Sequence, residues 1–393
     1  MPTGSPVDDG SVGQRLVTLA AAFSLAAFAA ASAPGSAGRM PDWAAPQIAT
    51  VVAHGLMEAK SVQKFRPNAA LTRQTLANLA VGLQQQLALP PPPSGSSSSS
   101  TDPTSTDSTT DTTTTGGTTT APIVSNPGAY VTMAELDRRL VLGLGLGKAA
   151  KEFAQGARAA GIAVPGRFGT EVVARLLGLR INHPAAQDFL ELRPQDRATR
   201  AEAAYSAAQI LGFGPLEDSW QIAQVQSLAD SFALPQVNDW QRRILAVAFS
   251  KIGMPYIWGG TSDATEVDFG VTARGGYDCS GFVWRVYKLQ SYPNEGSLAS
   301  TLEGRTTYTM SVEVPRSKRI AFAKLQPGDV IFFGTKGSRS SGPQIFHTAI
   351  YVGNGWFVQS SDYGVALAQL SGWYRKKFAW GRRPLSEAGL ESS

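Results

Sequence analysis

Tyr277-Asp278-Cys279-Ser280-Gly281-Phe282 holds the single cysteine of a 393-residue chain. A lone cysteine cannot close an intrachain disulfide, so its value lies in the thiol. Downstream, Phe282, Val283, Val286 and Leu289 recur at helical spacing, which predicts a helix opening at or next to Cys279. Asp278 suits the start of that helix. The unpaired amides and positive dipole end of a helix N-terminus favour a thiolate over a thiol. A cysteine nucleophile needs that form. Upstream, Gly253-Met254-Pro255-Tyr256-Ile257-Trp258-Gly259-Gly260 reads as a turn-rich approach.

The nucleophile needs a base, and the chain has three histidines. His54 and His183 fall far upstream, in segments that read as a different domain. His347 opens a β-branched and aromatic run, His347 to Val352, typical of a strand. An Asn354-Gly355 turn leads into a second strand, Trp356 to Ser360. Such a hairpin brings Gln359 beside His347, where it can hold one imidazole nitrogen while the other faces Cys279. For a bare Cys and His, a buried thiol and a satisfied core imidazole would be the simpler reading.

Four ordered blocks add to that pairing: Pro255-Tyr256-Ile257-Trp258-Gly259-Gly260, Asp278-Cys279-Ser280-Gly281-Phe282, Leu325-Gln326-Pro327-Gly328-Asp329-Val330-Ile331-Phe332-Phe333 and His347-Thr348-Ala349-Ile350-Tyr351-Val352-Gly353-Asn354-Gly355. Together they resemble the NlpC-type cysteine peptidases, papain-like enzymes that cut bacterial cell-wall peptides, over roughly 240–384. The resemblance implies catalytic roles for Cys279, His347 and Gln359. It makes the Tyr256 hydroxyl a group that faces the substrate carbonyl, and Asp278 and Ser280, which flank the nucleophile, are further oxyanion or substrate candidates beside the helix-start role of Asp278. It also implies a peptidoglycan stem peptide as substrate, commonly at the bond between D-glutamate and the diamino acid. Thr261 to Tyr277, containing Glu266, Asp268 and Arg274, is longer than in many relatives and adjoins the cleft.

Upstream, Phe65-Arg66-Pro67-Asn68-Ala69-Ala70-Leu71-Thr72-Arg73 is echoed by Leu192-Arg193-Pro194-Gln195-Asp196-Arg197-Ala198-Thr199-Arg200-Ala201-Glu202, and Val131-Thr132-Met133-Ala134-Glu135 begins a degraded third copy. These copies resemble S-layer homology repeats, a family that binds cell-wall polysaccharide. The plain physical reading makes Thr72 and Thr199 helix N-caps. It makes Arg73 and Arg200 first-turn surface residues. The resemblance offers Arg73 and Arg200 as ligands for an anionic glycan.

The organisation expected is a secretory signal peptide over 1–40, from its apolar alanine-rich run and the Ala31-Ser32-Ala33 pattern. Repeats follow at 41–87 and 129–213, around a disordered Pro/Ser/Thr-rich segment at 88–128. A connector spans 214–237, with a short helix near Trp220 to Phe232. The peptidase domain covers 238–386, opened by an Asn238-capped helix with Trp240, Ile244, Val247 and Ala248 on its apolar face. A disordered tail closes the chain at 387–393. Helices followed by strands (Val330–Phe333, His347–Val352, Trp356–Ser360, Phe378–Gly381) predict an α+β fold with an antiparallel sheet.

A net charge of +5 over this length, with no dense Lys/Arg run, argues against nucleic acid and fits an anionic wall. No metal or other cofactor is expected, because the histidines are scattered and no phosphate loop occurs. Ser280 lacks the Gly-x-Ser-x-Gly surround of a serine nucleophile. The mature chain is expected to have no membrane span. The expectation is a secreted hydrolase at the bacterial cell wall. The rivals are a non-catalytic wall-binding or adhesion protein, and an amidase or transpeptidase on the same fold.

Overall fold

The computed structural model describes residues 42–88, 124–268 and 270–390. The expected signal peptide and nearly all of the Pro/Ser/Thr-rich segment lie outside the described residues. The helices used below are α1 (Ala45–Ala53), α2 (Arg73–Ala88), α3 (Met133–Gly143), α4 (Gly147–Ala159), α5 (Phe168–Leu176), α6 (Arg200–Leu211), α7 (Trp220–Asp230), α8 (Asp239–Ser250), α9 (Cys279–Trp284), α10 (Leu298–Thr301), α11 (Thr307–Val312), α12 (Gly372–Lys377) and α13 (Pro384–Glu387). The strands are β1 (Thr261–Ser262), β2 (Glu266–Asp268), β3 (Val271–Ala273), β4 (Gly276–Tyr277), β5 (Val330–Gly334), β6 (Ile345–Gly353), β7 (Trp356–Ser361), β8 (Gly364–Gln369) and β9 (Phe378–Arg382). None of the described helices is long and apolar enough to cross a membrane.

The repeated sequence closes on itself. Leu71 N–H donates to Ala198 O, Ala198 N–H to Val131 O, and Val131 N–H to Leu71 O, at 2.8, 2.9 and 3.1 Å. One residue on, Thr72, Thr132 and Thr199 cap α2, α3 and α6 through their hydroxyls. Pro67, Pro127 and Pro194 each lend a carbonyl to the first turn of one of these helices. The three copies are therefore equivalent in space, and the degraded one is structurally whole. A cap and a β-like bridge need only Thr and extended backbone, so Met133 can stand where the other copies carry arginine.

Arg200 is half-buried, and its guanidinium is tied down. Its Nε donates to Phe65 O at 2.9 Å, its Nη2 to Met57 O at 2.7 Å, and the guanidinium stacks 4.8 Å from the Phe65 ring. Burial is the main reason its pKa lies below the usual arginine value. Arg73 stays half-exposed, 3.7 Å from Glu135. Arg73 and Arg200 are both half-exposed, but only the Arg200 guanidinium is committed to backbone carbonyls.

The C-terminal half is a five-stranded antiparallel sheet in the order β8-β7-β6-β5-β9. Alternation along the strands gives two apolar faces. Val330, Phe332, Ile350, Val352 and Val358 join the main core under α8 and α9, whereas Ile331, Phe333, Ala349, Phe357 and Phe378 form a second cluster with Tyr374 of α12. The strand β8 was not foreseen. It pairs along the full length of β7, and Val365 and Leu367 are buried.

Asn238 caps α8 in a capping box with Gln241. Trp240, Ile244 and Ala248 are buried as the pattern required, and Val247 packs at the margin. The tail is ordered further than expected, since Ala388 and Leu390 pack on the core.

One core runs through both halves. Phe153 of α4, Phe232 after α7 and Trp356 of β7 meet with ring centroids 5.0–6.0 Å apart. Arg175 of α5 donates from Nη1 to Tyr363 O at 2.7 Å and from Nη2 to Gly253 O at 2.6 Å. Gly253 has φ of +96°, and a Cβ there would lie 2.5 Å from Glu171 Oε2, so only glycine fits. The repeat module is built into the C-terminal half.

Candidate active site

The helix carrying the thiol starts where the sequence placed it, but it is short. α9 covers Cys279 to Trp284 and then widens into a π-helical turn, Arg285–Leu289. Asp278 is its N-cap, accepting the Gly281 N–H at 2.5 Å. Cys279 occupies the first helical position, where a backbone N–H has no intrahelical acceptor. A Cβ on Gly281 would lie 2.0 Å from Gly260 O. The glycine therefore lets the helix start press against the Tyr256–Gly260 turn.

Asp278 and Ser280 do not face the cleft. Both are buried. Arg305 donates to Asp278 Oδ1 and Oδ2 at 3.1 and 2.9 Å, and to Ser280 Oγ at 2.9 Å. Their expected role toward the substrate gives way to one inside the fold. A buried carboxylate needs a counter-charge, and the guanidinium supplies it while joining the helix start to residues after α10.

The Cys279 sulfur lies 3.3 Å from Thr307 Oγ1 and receives the backbone N–H groups of Ser280 and Thr348. Thr348 directly follows His347 on β6. Strands β6 and β7 are paired from Ile350 and Val358 toward the hairpin. Below that point they part, and the sulfur reaches β6 there. Ser360 of β7 donates to Tyr277 O at 2.6 Å and fixes the other lip of the gap.

His347 is buried, stacked 5.6 Å from Phe333. Its Nε2 lies 2.7 Å from Gln359 Oε1, and Gln359 Nε2 donates to Tyr374 Oη at 2.6 Å. With the amide nitrogen used on Tyr374, the amide oxygen accepts from Nε2–H. That arrangement selects the tautomer with a lone pair on Nδ1. The expected His347–Gln359 neighbourhood is thus present. Tyr374 completes it and was missed, because a tyrosine in a short basic helix fifteen residues beyond Gln359 carries no local signal.

Charge state departs from expectation. Burial pushes the Cys279 thiol up to about 11, helped by the neighbouring Asp278 carboxylate, despite the Thr307 hydroxyl and the two N–H groups. Burial also holds His347 down to about 4, against the pull of Gln359. Desolvation opposes the dipole of so short a helix and favours the thiol and the neutral imidazole in the ligand-free protein. Alkylation of Cys279 by iodoacetamide should accordingly be slow near neutrality and keep rising toward pH 11, well past the ordinary thiol value of about 8.5. A rate that levels off below neutral pH would mean a resting thiolate and refute this charge state.

Tyr256 stands at the same corner. Burial raises its pKa, and the next contribution comes from Cys279, so the hydroxyl remains a hydrogen-bond donor. The repeat module reaches this corner as well. Asn182 Oδ1 accepts the Tyr256 N–H at 3.2 Å, and Asp188 Oδ2 accepts the Trp258 N–H at 3.3 Å. Burial pushes the Asp188 carboxyl up to about 6. Among the other histidines, His54 is exposed. His183 is buried between Glu191 and Glu202 at 3.0 and 3.1 Å. The insertion forms two small antiparallel pairs, β1 with β4 and β2 with β3.

Residues 253–383 match the NlpC/P60 family, and residues 37–77 match the S-layer homology domain. The probable peptidoglycan endopeptidase LytE of Bacillus subtilis (strain 168) is 31% identical over 134 residues, which are 34% of this chain and 31% of that protein. The murein DD-endopeptidase MepH of Escherichia coli (strain K12) is 33% identical over 143 residues, 36% of this chain and 44% of that protein. The chain thus spans less than half the length of these curated relatives. A solved NlpC/P60 family protein from Bacillus cereus ATCC 10987 is 25% identical, with a TM-score of 0.26, covering 39% of this chain and 42% of that one.

Proposed function

From an NlpC/P60 domain at 253–383 preceded by an S-layer homology domain at 37–77, we propose that the chain is a cell-wall hydrolase. It cleaves peptidoglycan stem peptides by cysteine nucleophilic catalysis and is held at the bacterial surface by its repeats. The observation that carries this reading is the contact of the Cys279 thiol with the backbone N–H of Thr348, the residue that follows His347, whose imidazole is oriented by Gln359 and Tyr374.

In the reaction, Cys279 Sγ bonds to the amide carbon as the thiol proton passes to His347 Nδ1. The neutral resting pair makes this proton transfer part of the attack. The Cys279 N–H and the Tyr256 hydroxyl donate to the oxyanion, a contribution of about 3 kcal/mol per donor. The imidazolium returns its proton to the leaving amine as the C–N bond breaks. Water, deprotonated by the same nitrogen, then hydrolyses the thioester. Gln359 is neutral and so stabilises the imidazolium less than a carboxylate would.

The bond we assign is that between D-glutamate and the diamino acid. Digestion of purified peptidoglycan with the whole chain, followed by mass spectrometry of the fragments, should yield new termini at that bond. Termini at the muramoyl amide or at a cross-link would replace the assignment with an amidase or a different endopeptidase. A protein that binds the wall but releases no fragment would be a non-catalytic binder.

A further inference from the structure

The net charge of +5 is not spread over the molecule. Residues 314–344 hold six Lys or Arg against one acid, Asp329, which is buried and paired with Arg383. Residues 370–383 hold five more and no acid. These two stretches together carry a net +10, so the remainder of the chain is net negative. The fold interlocks them. Ile320 pairs with Gly381 beside β9, Lys377 Nζ donates to Thr335 O at 2.8 Å, and the Arg375 guanidinium stacks 3.7 Å from the Phe322 ring.

Where the stretches meet lies a concave pocket of about 400 Å³, lined by Arg316, Arg319, Arg339, Ser338, Ser340 and the Trp380 edge of β9, with no acidic residue on its wall. Trp380 is buried and fixes one guanidinium, because Arg319 stacks 3.6 Å from its ring. Arg316 and Arg339 are exposed and have no carboxylate partner among the described residues. Burial, and then the cation of Arg316, hold Arg319 below the usual arginine range. Three unneutralised guanidinium forks around one hollow repel one another, and an anion seated between them relieves that repulsion. Guanidinium geometry matches the bidentate oxygens of phosphate, and the volume falls in the range of small-ligand sites.

We propose that this arginine pocket is a binding site for a phosphate group, of the size of one sugar-phosphate or polyol-phosphate unit. The site is separate from the cleft and does not depend on the activity assigned to Cys279. It gives the C-terminal half its own hold on a phosphate-bearing wall polymer, in addition to the repeats.

The test is direct binding to the whole chain by calorimetry, with inorganic phosphate, glycerol 3-phosphate, a poly(glycerol phosphate) chain and polyglutamate as probes. Phosphate-bearing probes should bind and raise the melting temperature, and polyglutamate at equal charge should bind at least tenfold more weakly. Arg316→Gln combined with Arg339→Gln removes two exposed charges and should leave the melting temperature of the free protein unchanged or slightly higher, since it relieves their repulsion. It should weaken phosphate binding at least tenfold. Raising ionic strength from about 0.01 to about 0.15 M should also weaken binding, as screening of exposed charges requires. Tighter binding of the polymer than of glycerol 3-phosphate would identify a wall polymer as the source, and equal binding would identify the free ester. Equal affinity for polyglutamate, or unchanged affinity in the double variant, would overturn the proposal.

Discussion

Cys279→Ala is expected to lower stem-peptide cleavage by at least about 10⁴-fold, because loss of a nucleophile removes the covalent route and leaves only binding and oxyanion stabilisation. The fold should tolerate the change. Cys279 is partly exposed, its sulfur's partners are one hydroxyl and two backbone N–H groups, and alanine keeps the helical start that Asp278 caps. Melting should move by no more than a few degrees, and wall binding through the repeats should persist. Turnover above about one per cent of the wild-type rate would mean that another group attacks the carbonyl. A collapsed melting transition would instead mean a structural thiol, so both quantities need to be measured on the same preparation.

The second large effect is expected far from the thiol. Arg175→Met should destabilise the whole chain by about 3–5 kcal/mol, the usual cost of removing one partner from a buried ion pair. Glu171, 3.7 Å away, would lose the strongest of its counter-charges, and the carbonyls of Gly253 and Tyr363 would lose their donor. The effect should depend on pH in a defined direction. Burial, with Asp137 adding to it, pushes Glu171 up to about 7, above the ordinary carboxylate value. A carboxyl raised on folding stabilises the folded state below its unfolded pKa, and that stability is lost as pH rises through the folded pKa. Without Arg175 the folded value rises further, so the defect should be smaller near pH 5 and larger near pH 8. Denaturant unfolding at the two pH values tests this. A loss below about 1 kcal/mol, equal at both, would show that Arg175 is not what joins the halves. Because the same guanidinium holds the approach to Tyr256, cleavage should fall alongside stability. A fragment containing only the C-terminal half should be impaired for the same reason.

Local physics made much of this protein legible without coordinates. Thr72 and Thr199 announce helix starts because a hydroxyl cap needs only the next turn. Asp278 and Asn238 do the same for α9 and α8. Four of the five main strands follow from β-branched and aromatic runs, and the Asn354-Gly355 hairpin makes Gln359 a neighbour of His347. These readings succeed because each depends on residues close together in the chain.

What the tertiary structure alone decided depends on residues far apart. Burial, set by the whole fold, favours the thiol at Cys279 over the thiolate that its helix start suggests. Arg305 reaches Asp278 and Ser280 across some twenty-five residues of chain and turns two expected substrate groups into internal supports. Arg200 looks like a surface cation in sequence and is spent on two carbonyls of a distant turn. Tyr374, the Arg175 clamp and the arginine pocket exist only where separate stretches meet. Sequence spacing encodes periodicity and caps, whereas desolvation and counter-charge are properties of the assembled interior, and those set the chemistry of this site.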